Sequence, residues 1–179
     1  MILFKLKTLK IIGHFCTLKK LKIILLILGI IAALAVITAM SFKQWSYEKM
    51  TETLLSNSIE QIRVSSDELD DYTIIDTRSE AEFEVSHLPG AIRVNPDSEE
   101  FSQELLNSKK PLLVYCSVGL RSEKIGERII KQSTIKEVYN LKGGFFQWFN
   151  DKKPIVDFNG KSTTEIHTYN KAWSIWVCN

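Results

Sequence analysis

Residues 112–122, LLVYCSVGLRS, carry the most structural information in this chain. Behind Pro111 stand four apolar or aromatic residues in a row. That run is too short for a helix and too uniformly apolar for a surface strand, so it predicts a strand buried on both faces of a parallel sheet. Beyond the loop, residues 122–131 place Ile125, Ile129 and Ile130 on one side of a predicted helix. The unit is therefore strand, loop, helix, with Cys116 at the carboxyl end of the strand. Ligands of open α/β sheets bind there. A helix start contributes N–H groups without intrahelical partners and a partial positive charge. A cysteine at such an entrance has its thiolate favoured. Gly119 lets the loop curl, and Arg121 supplies a cation suited to an oxyanion. An isolated cysteine ending a strand is commonly an inert buried thiol. The combination of apolar strand, loop, arginine and helix favours a functional one.

The flanking sequence repeats the alternation. Strand-like runs occur at 62–64, 72–75, 91–94 and 138–141, and helical ones at 98–106 and 145–149. Ser65 and Glu68, then Ser79 and Glu82, have capping-box spacing. Leu88-Pro89-Gly90 and Gly143-Gly144 are turns. Short strands alternating with helices predict an α/β domain with a mostly parallel sheet between helices. Asp76 and Arg78, at the tip of one strand, are expected to support the loop network under the pocket, because buried charges need partners. Glu82 or Glu84 is expected to pair with Arg78, and Trp148 to lie in the core. His14, His167 and the cysteines show no metal-ligand spacing, so no metal is expected.

The charge distribution divides the chain. Residues 1–22 hold six lysines and no acid, whereas the rest is net negative, with 17 basic against 21 acidic side chains. A mildly acidic domain lacks the footprint of a nucleic-acid binder. Residues 23–42, IILLILGIIAALAVITAMSF, are uncharged, and as a helix they would span about 30 Å, the thickness of a bilayer core. The expected organisation is a basic cytoplasmic segment (1–22), a transmembrane helix (23–42), a juxtamembrane linker (43–60), the α/β domain (61–155) and a C-terminal tail (156–179). The lysines should hold the N-terminus in the cytoplasm and place the domain on the periplasmic or extracytoplasmic side. Trp45 and Tyr47 are read as interfacial anchors. A cleaved signal peptide, with a site at Ala33-Leu34-Ala35, is the alternative. Whether Trp173, Trp176 and Val177 pack on the domain or rest at the membrane stays open, as does a bridge between Cys116 and Cys178.

Three motifs in order carry a family resemblance. They are IIDTRSEAEFEVSHLPGAIRVN (74–95), CSVGLRS (116–122) and YNLKGGFFQW (139–148). Residues 62–154 resemble a single-domain rhodanese, a thiosulfate sulfurtransferase, departing from the pattern at Ser86, where a glycine is usual. The resemblance implies the rhodanese-like three-layer fold and a sulfur-transfer cycle without a cofactor. Cys116 would take the outer sulfur of a small donor such as thiosulfate. The resulting persulfide would pass it to a thiol or to cyanide. Ser117, Val118, Gly119, Leu120, Arg121 and Ser122 would bind the donor, with Arg121 on its oxyanion. Three rivals remain: a phosphatase or arsenate-reductase-like enzyme, a non-catalytic binding module, and redox work by Cys116 with Cys178. Four residues separate Cys116 from Arg121; related phosphatase loops hold one more, so loop size favours sulfur.

Overall fold

The computed structural model describes residues 2–135 and 137–177, with side chains from Lys20 onward. The chain divides into two compact units, Met1–Ser46 and Tyr47–Asn179. A single helix, α1 (Ile2–Leu54), supplies all of the first unit and the opening of the second. In the first unit every side chain from Lys20 to Phe42 is exposed, the isoleucines and leucines included. Two hydroxyls of this helix are satisfied by its own backbone. Thr38 Oγ1 donates to Ala35 O at 2.9 Å and Ser46 Oγ to Phe42 O at 2.7 Å. Such back-bonding lets a hydroxyl sit in an apolar medium. Among the described residues this is the one helix long and apolar enough to cross a membrane.

The second unit is built on a five-stranded parallel sheet. Its strands are β1 (Gln61–Ile62), β2 (Thr73–Asp76), β3 (Ile92–Arg93), β4 (Leu112–Tyr115) and β5 (Val138–Leu141), in the order β1-β5-β4-β2-β3. The LLVY run is the central strand, and all four of its residues are buried. Side chains alternate across a strand, and the core follows that rule. Leu112 and Val114 join Ile75, Ile125 and Ile129 on one face, while Leu113 and Tyr115 join Ile74 and Phe145 on the other. Helices α3 (Gln103–Leu106) and α4 (Leu120–Gln132) cover the first face. Helix α5 (Gly144–Asn150) covers the second. This is the expected α/β architecture with a helical layer on each side.

Local signals account for most element ends. Helix α2 (Glu80–Val85) starts with the expected box, in which Ser79 Oγ accepts from Glu82 N and the Glu82 carboxylate accepts from Ser79 N. The box at Ser65 and Glu68 opens a 3-10 turn, Ser66–Asp71, and not an α-helix. The helix expected over 98–106 is only four residues long. Ser98 N bonds back to Asn95 O in a turn, and Ser102 caps the helix through Leu105 N. Residues 43–54, expected in the linker, continue α1. A short helix not foreseen, α6 (Lys171–Ser174), is capped by Asn170, whose Oδ1 accepts from Ala172 N and Trp173 N.

Candidate functional site

Cys116 follows directly on β4 and is a free, buried cysteine, 1% exposed. Cys178 lies outside the described residues. The chain turns from strand to helix at Gly119, whose φ of +108° belongs to the left-handed region that glycine tolerates. The turn brings Gly119 N–H onto the Cys116 sulfur at 3.2 Å. The N–H groups of Leu120, Arg121 and Ser122 open α4 and have no carbonyl one turn earlier to bond. The loop is held open from outside. Phe145 N and Phe146 N, in the first turn of α5, donate to Cys116 O at 2.8 Å and Ser117 O at 3.1 Å. That contact needs Gly144, because a Cβ there would lie 2.6 Å from Cys116 O. From β5, Asn140 Nδ2 donates to Gly119 O at 3.0 Å, and Ser122 Oγ sits 2.8 Å from Asn140 Oδ1. With its carbonyls taken by neighbouring elements, the loop keeps its curled shape.

Beside the loop lies an ion pair that sequence reasoning did not assign. Arg121 Nη1 and Nη2 donate to the two oxygens of Glu82, each at 2.8 Å, and Nη2 also donates to Ser117 Oγ at 2.9 Å. Ser117 Oγ in turn donates to Glu82 Oε1 at 2.9 Å. Such bidentate geometry is the strong form of the arginine–carboxylate bond. Burial by itself would raise the Glu82 carboxyl, but the Arg121 hydrogen bonds and charge, helped by Ser79, outweigh it and hold it at about 2. Burial would lower the Arg121 guanidinium, yet Glu82 and the nearby Cys116 sulfur raise it above its ordinary value.

The expected pairing of Glu82 or Glu84 with Arg78 is not what forms. Arg78 turns to Asp76, with Nη2 at 2.6 Å from Oδ2 and Nε at 3.0 Å from Oδ1, and its Nη2 also donates to Ser86 O at 2.6 Å. Both residues are fully buried, and the Arg78 guanidinium lies 3.8 Å from the Phe145 ring centroid. This pair ties the end of β2 to the start of α5. His87 hydrogen-bonds locally, its Nδ1 2.9 Å from Phe83 O, and Trp148 is buried with Nε1 donating to Pro154 O.

Three aromatic residues complete the surroundings. Tyr47, read from sequence as an interfacial anchor, is instead 2% exposed within the domain and donates to Gly143 O at 2.6 Å. Burial, and after it the proximity of Cys116, pushes its phenol well up, so it stays neutral. From the C-terminal tail, Tyr169 and Trp173 join Cys116, Ser117, Val118, Leu120 and Arg121 around a cavity of about 170 Å³. Trp173, Trp176 and Val177 pack on the core, which answers where the tail lies. Asn150 Nδ2 donates to Trp176 O at 2.7 Å, and the Trp176 and Tyr47 rings lie 5.6 Å apart. Among the described residues no cluster of His, Cys, Asp or Glu has the arrangement of a metal site.

Cys116 thus ends the central strand of a parallel α/β sheet, with a four-residue loop between it and an arginine on the following helix. Residues 61–151 match the family model described as Rhodanese-like domain, and the chain belongs to that family. A thiosulfate sulfurtransferase, GlpE of Coxiella burnetii, is 33% identical over 78 residues, which cover 44% of this chain and 72% of that protein. A tRNA uridine(34) hydroxylase of Teredinibacter turnerae is 36% identical over 89 residues, but these cover only 27% of it. Among solved structures, a rhodanese-related protein of Thermoplasma volcanium aligns with a TM-score of 0.46 at 20% identity, covering 52% of this chain and 96% of that one.

Proposed function

We propose that this chain is a membrane-anchored sulfurtransferase that carries sulfane sulfur as a persulfide on Cys116. The observation that supports it most directly is the loop itself. The Cys116 sulfur accepts the Gly119 N–H at 3.2 Å and stands beside Arg121, and Cys116 lines the 170 Å³ cavity. In the first half-reaction the Cys116 thiolate attacks the outer sulfur of a donor such as thiosulfate. A bond forms from Sγ to that sulfur, the donor's S–S bond breaks, and sulfite leaves with the electron pair. In the second, a thiolate or cyanide takes the terminal sulfur and the Cys116 thiolate is restored. Neither half needs an external oxidant or reductant. The cradle of N–H groups from residues 117–122 stabilises the persulfide anion by the physics of an oxyanion hole. Arg121 orients the donor through the N–H groups that Glu82 leaves free, and Asp76 with Arg78 keeps the loop's floor rigid.

Membrane attachment is assigned to residues 23–42, with the basic residues 1–22 in the cytoplasm, the domain (61–155) and tail (156–179) on the far side, and 43–60 as the connection. The uncharged helix and its exposed apolar side chains support this reading, and the lysine bias supports the orientation. The test of the chemistry is intact-mass spectrometry after thiosulfate treatment. One sulfur atom should be gained, mapped to Cys116, lost on adding cyanide and absent in Cys116→Ser. Sulfur found on another cysteine, or none at all, overturns the assignment.

A further inference from the structure

From the cavity in front of Cys116 we infer that Tyr169 and Trp173 are specificity-determining residues that select a sulfur donor with a small apolar organic body over inorganic thiosulfate. The inference rests on the sulfur-transfer reading and names the substrate class that reading leaves open. Its first support is the lining. Val118, Leu120, Tyr169 and Trp173 give the cavity apolar walls, and among the described residues that line it Arg121 is the one cation. Its second is the state of that cation. Both terminal nitrogens of Arg121 are bonded to Glu82, and the same guanidinium lies 5.4 Å from the Tyr169 ring centroid. A dianion such as thiosulfate would meet an arginine already neutralised by a buried carboxylate, beside two aromatic rings that offer it no further cation. A monoanion with an apolar end would leave its charge near Arg121 and the loop N–H groups while burying the rest against the rings.

Its third support is size. A cavity of about 150 Å³ with apolar walls accommodates a benzene ring, and this one measures about 170 Å³. The cavity thus has room for one ring or a short branched chain. The walls are themselves held in place. Trp173 N bonds back to Asn170 through both its backbone oxygen and its side chain, and the following Trp176 O is fixed by Asn150. Trp173 packs against the core, while Tyr169, 57% exposed, forms the outer wall beside Arg121.

Benzenethiosulfonate is the discriminating probe, since it is thiosulfate with one charged oxygen replaced by a phenyl ring. The transfer balances as before: Sγ bonds the terminal sulfur, the S–S bond breaks and benzenesulfinate leaves with the electron pair. The full chain in detergent should show a kcat/KM for benzenethiosulfonate at least tenfold above that for thiosulfate. In Tyr169→Ala and Trp173→Ala this ratio should fall about tenfold, as expected when a ring contact in a hydrophobic pocket is lost. Tyr169→Phe and Trp173→Phe, which keep an aromatic wall, should hold the ratio within about threefold of wild type. A ratio near one in the wild type, or one that the alanine variants do not change, overturns the inference while leaving sulfur transfer standing. Faster reaction of the alanine variants with both donors overturns it too, marking the tail as an obstruction. If neither donor forms a persulfide on Cys116, the sulfur-transfer reading itself fails and this inference with it.

Discussion

Replacing Glu82 by Gln keeps the side chain's shape and removes the charge on which the loop's polar network converges. Glu82 is fully buried and accepts hydrogen bonds from Arg121, Ser117 and Ser79. Its carboxyl is held at about 2 against an ordinary 4.5. At about 1.4 kcal/mol per tenfold change in equilibrium, that difference is worth about 3 kcal/mol of folding free energy. The sign follows from linkage. A depressed carboxyl stabilises the fold at pH values above about 4.5, and the contribution is lost as pH falls through about 2. At pH 7 Glu82→Gln should therefore lose about 3 kcal/mol, a fall in Tm of roughly 10 °C for a domain of this size. The loss falls within the range for unpairing a buried ion, moderated because Arg121 keeps 27% side-chain exposure. Melting of wild type and variant, followed by near-ultraviolet circular dichroism in detergent between pH 7 and pH 3, measures it. The difference should be full at pH 7 and shrink toward pH 3. A variant within 2 °C of wild type at pH 7, or a gap that widens on acidification, would refute the role given to this pair.

Further perturbations probe other parts of the site. Gly144→Ala puts a Cβ 2.6 Å from Cys116 O and 2.8 Å from the Ser117 carbonyl carbon, at a φ of +60°; it should cost about 3 kcal/mol and slow persulfide formation at least tenfold, and single-turnover sulfur transfer at the wild-type rate would show that α5 does not shape the loop. In intact cells a membrane-impermeant maleimide should label Lys161→Cys, an exposed position of the C-terminal tail, and reach Cys16 only after lysis; the opposite pattern reverses the orientation, and a mature chain starting near Val36 reveals a cleaved signal. The wild-type protein should hydrolyse an aryl phosphate negligibly, and one glycine inserted after Gly119 should depress sulfur transfer; brisk hydrolysis without a persulfide would favour phosphate chemistry.

What the sequence made legible was whatever is specified locally. The LLVY run is apolar at every position because both faces of β4 are covered, so its central place could be read from composition alone. Cys116, Gly119 and Arg121 were legible because one strand, one turn and one helix start place them together. The partners were not. Arg121 and Glu82 are separated by 39 positions, and nothing in the spacing distinguishes that pair from Glu82 with Arg78, which is nearer in the chain. Asp76 wins Arg78 because both sit at the end of β2, where Asp76 also accepts the Arg78 N–H. Tyr47 follows an apolar segment and so read as an interfacial residue, but the last turns of α1 bury it against Gly143. Tyr169 and Trp173 lie in a tail with no periodicity, and only tertiary packing brings them to the cavity. The helix expected at 98–106 failed through turn chemistry, since Asn95 draws Ser98 N–H into a turn before a helix can begin.

The buried pair also bears on what the loop can carry. Counting formal charges around the reacting sulfur, Arg121 contributes one positive charge, Glu82 one negative, and a Cys116 thiolate another negative. Accepting a sulfur atom moves that last charge outward by one atom without changing its sum, so the same N–H cradle serves before and after transfer. Accepting a phosphoryl group would replace that single charge with two spread over three oxygens, a net gain of one negative charge, and the arginine that should meet it is already bonded to Glu82 through both terminal nitrogens. Exposed phosphoryl oxygens would also need donors that four intervening residues are too few to wrap around them. Loop length and charge thus act in the same direction. The loop length was readable from the sequence; the charge argument depends on Glu82, and it predicts that Glu82→Gln, by freeing Arg121, should improve binding of oxyanions such as thiosulfate or phosphate even as it destabilises the fold. Isothermal titration of the Cys116→Ser protein with each anion, with and without Glu82→Gln, would show whether freeing the arginine has that effect, and unchanged or weaker binding would remove the charge half of the argument.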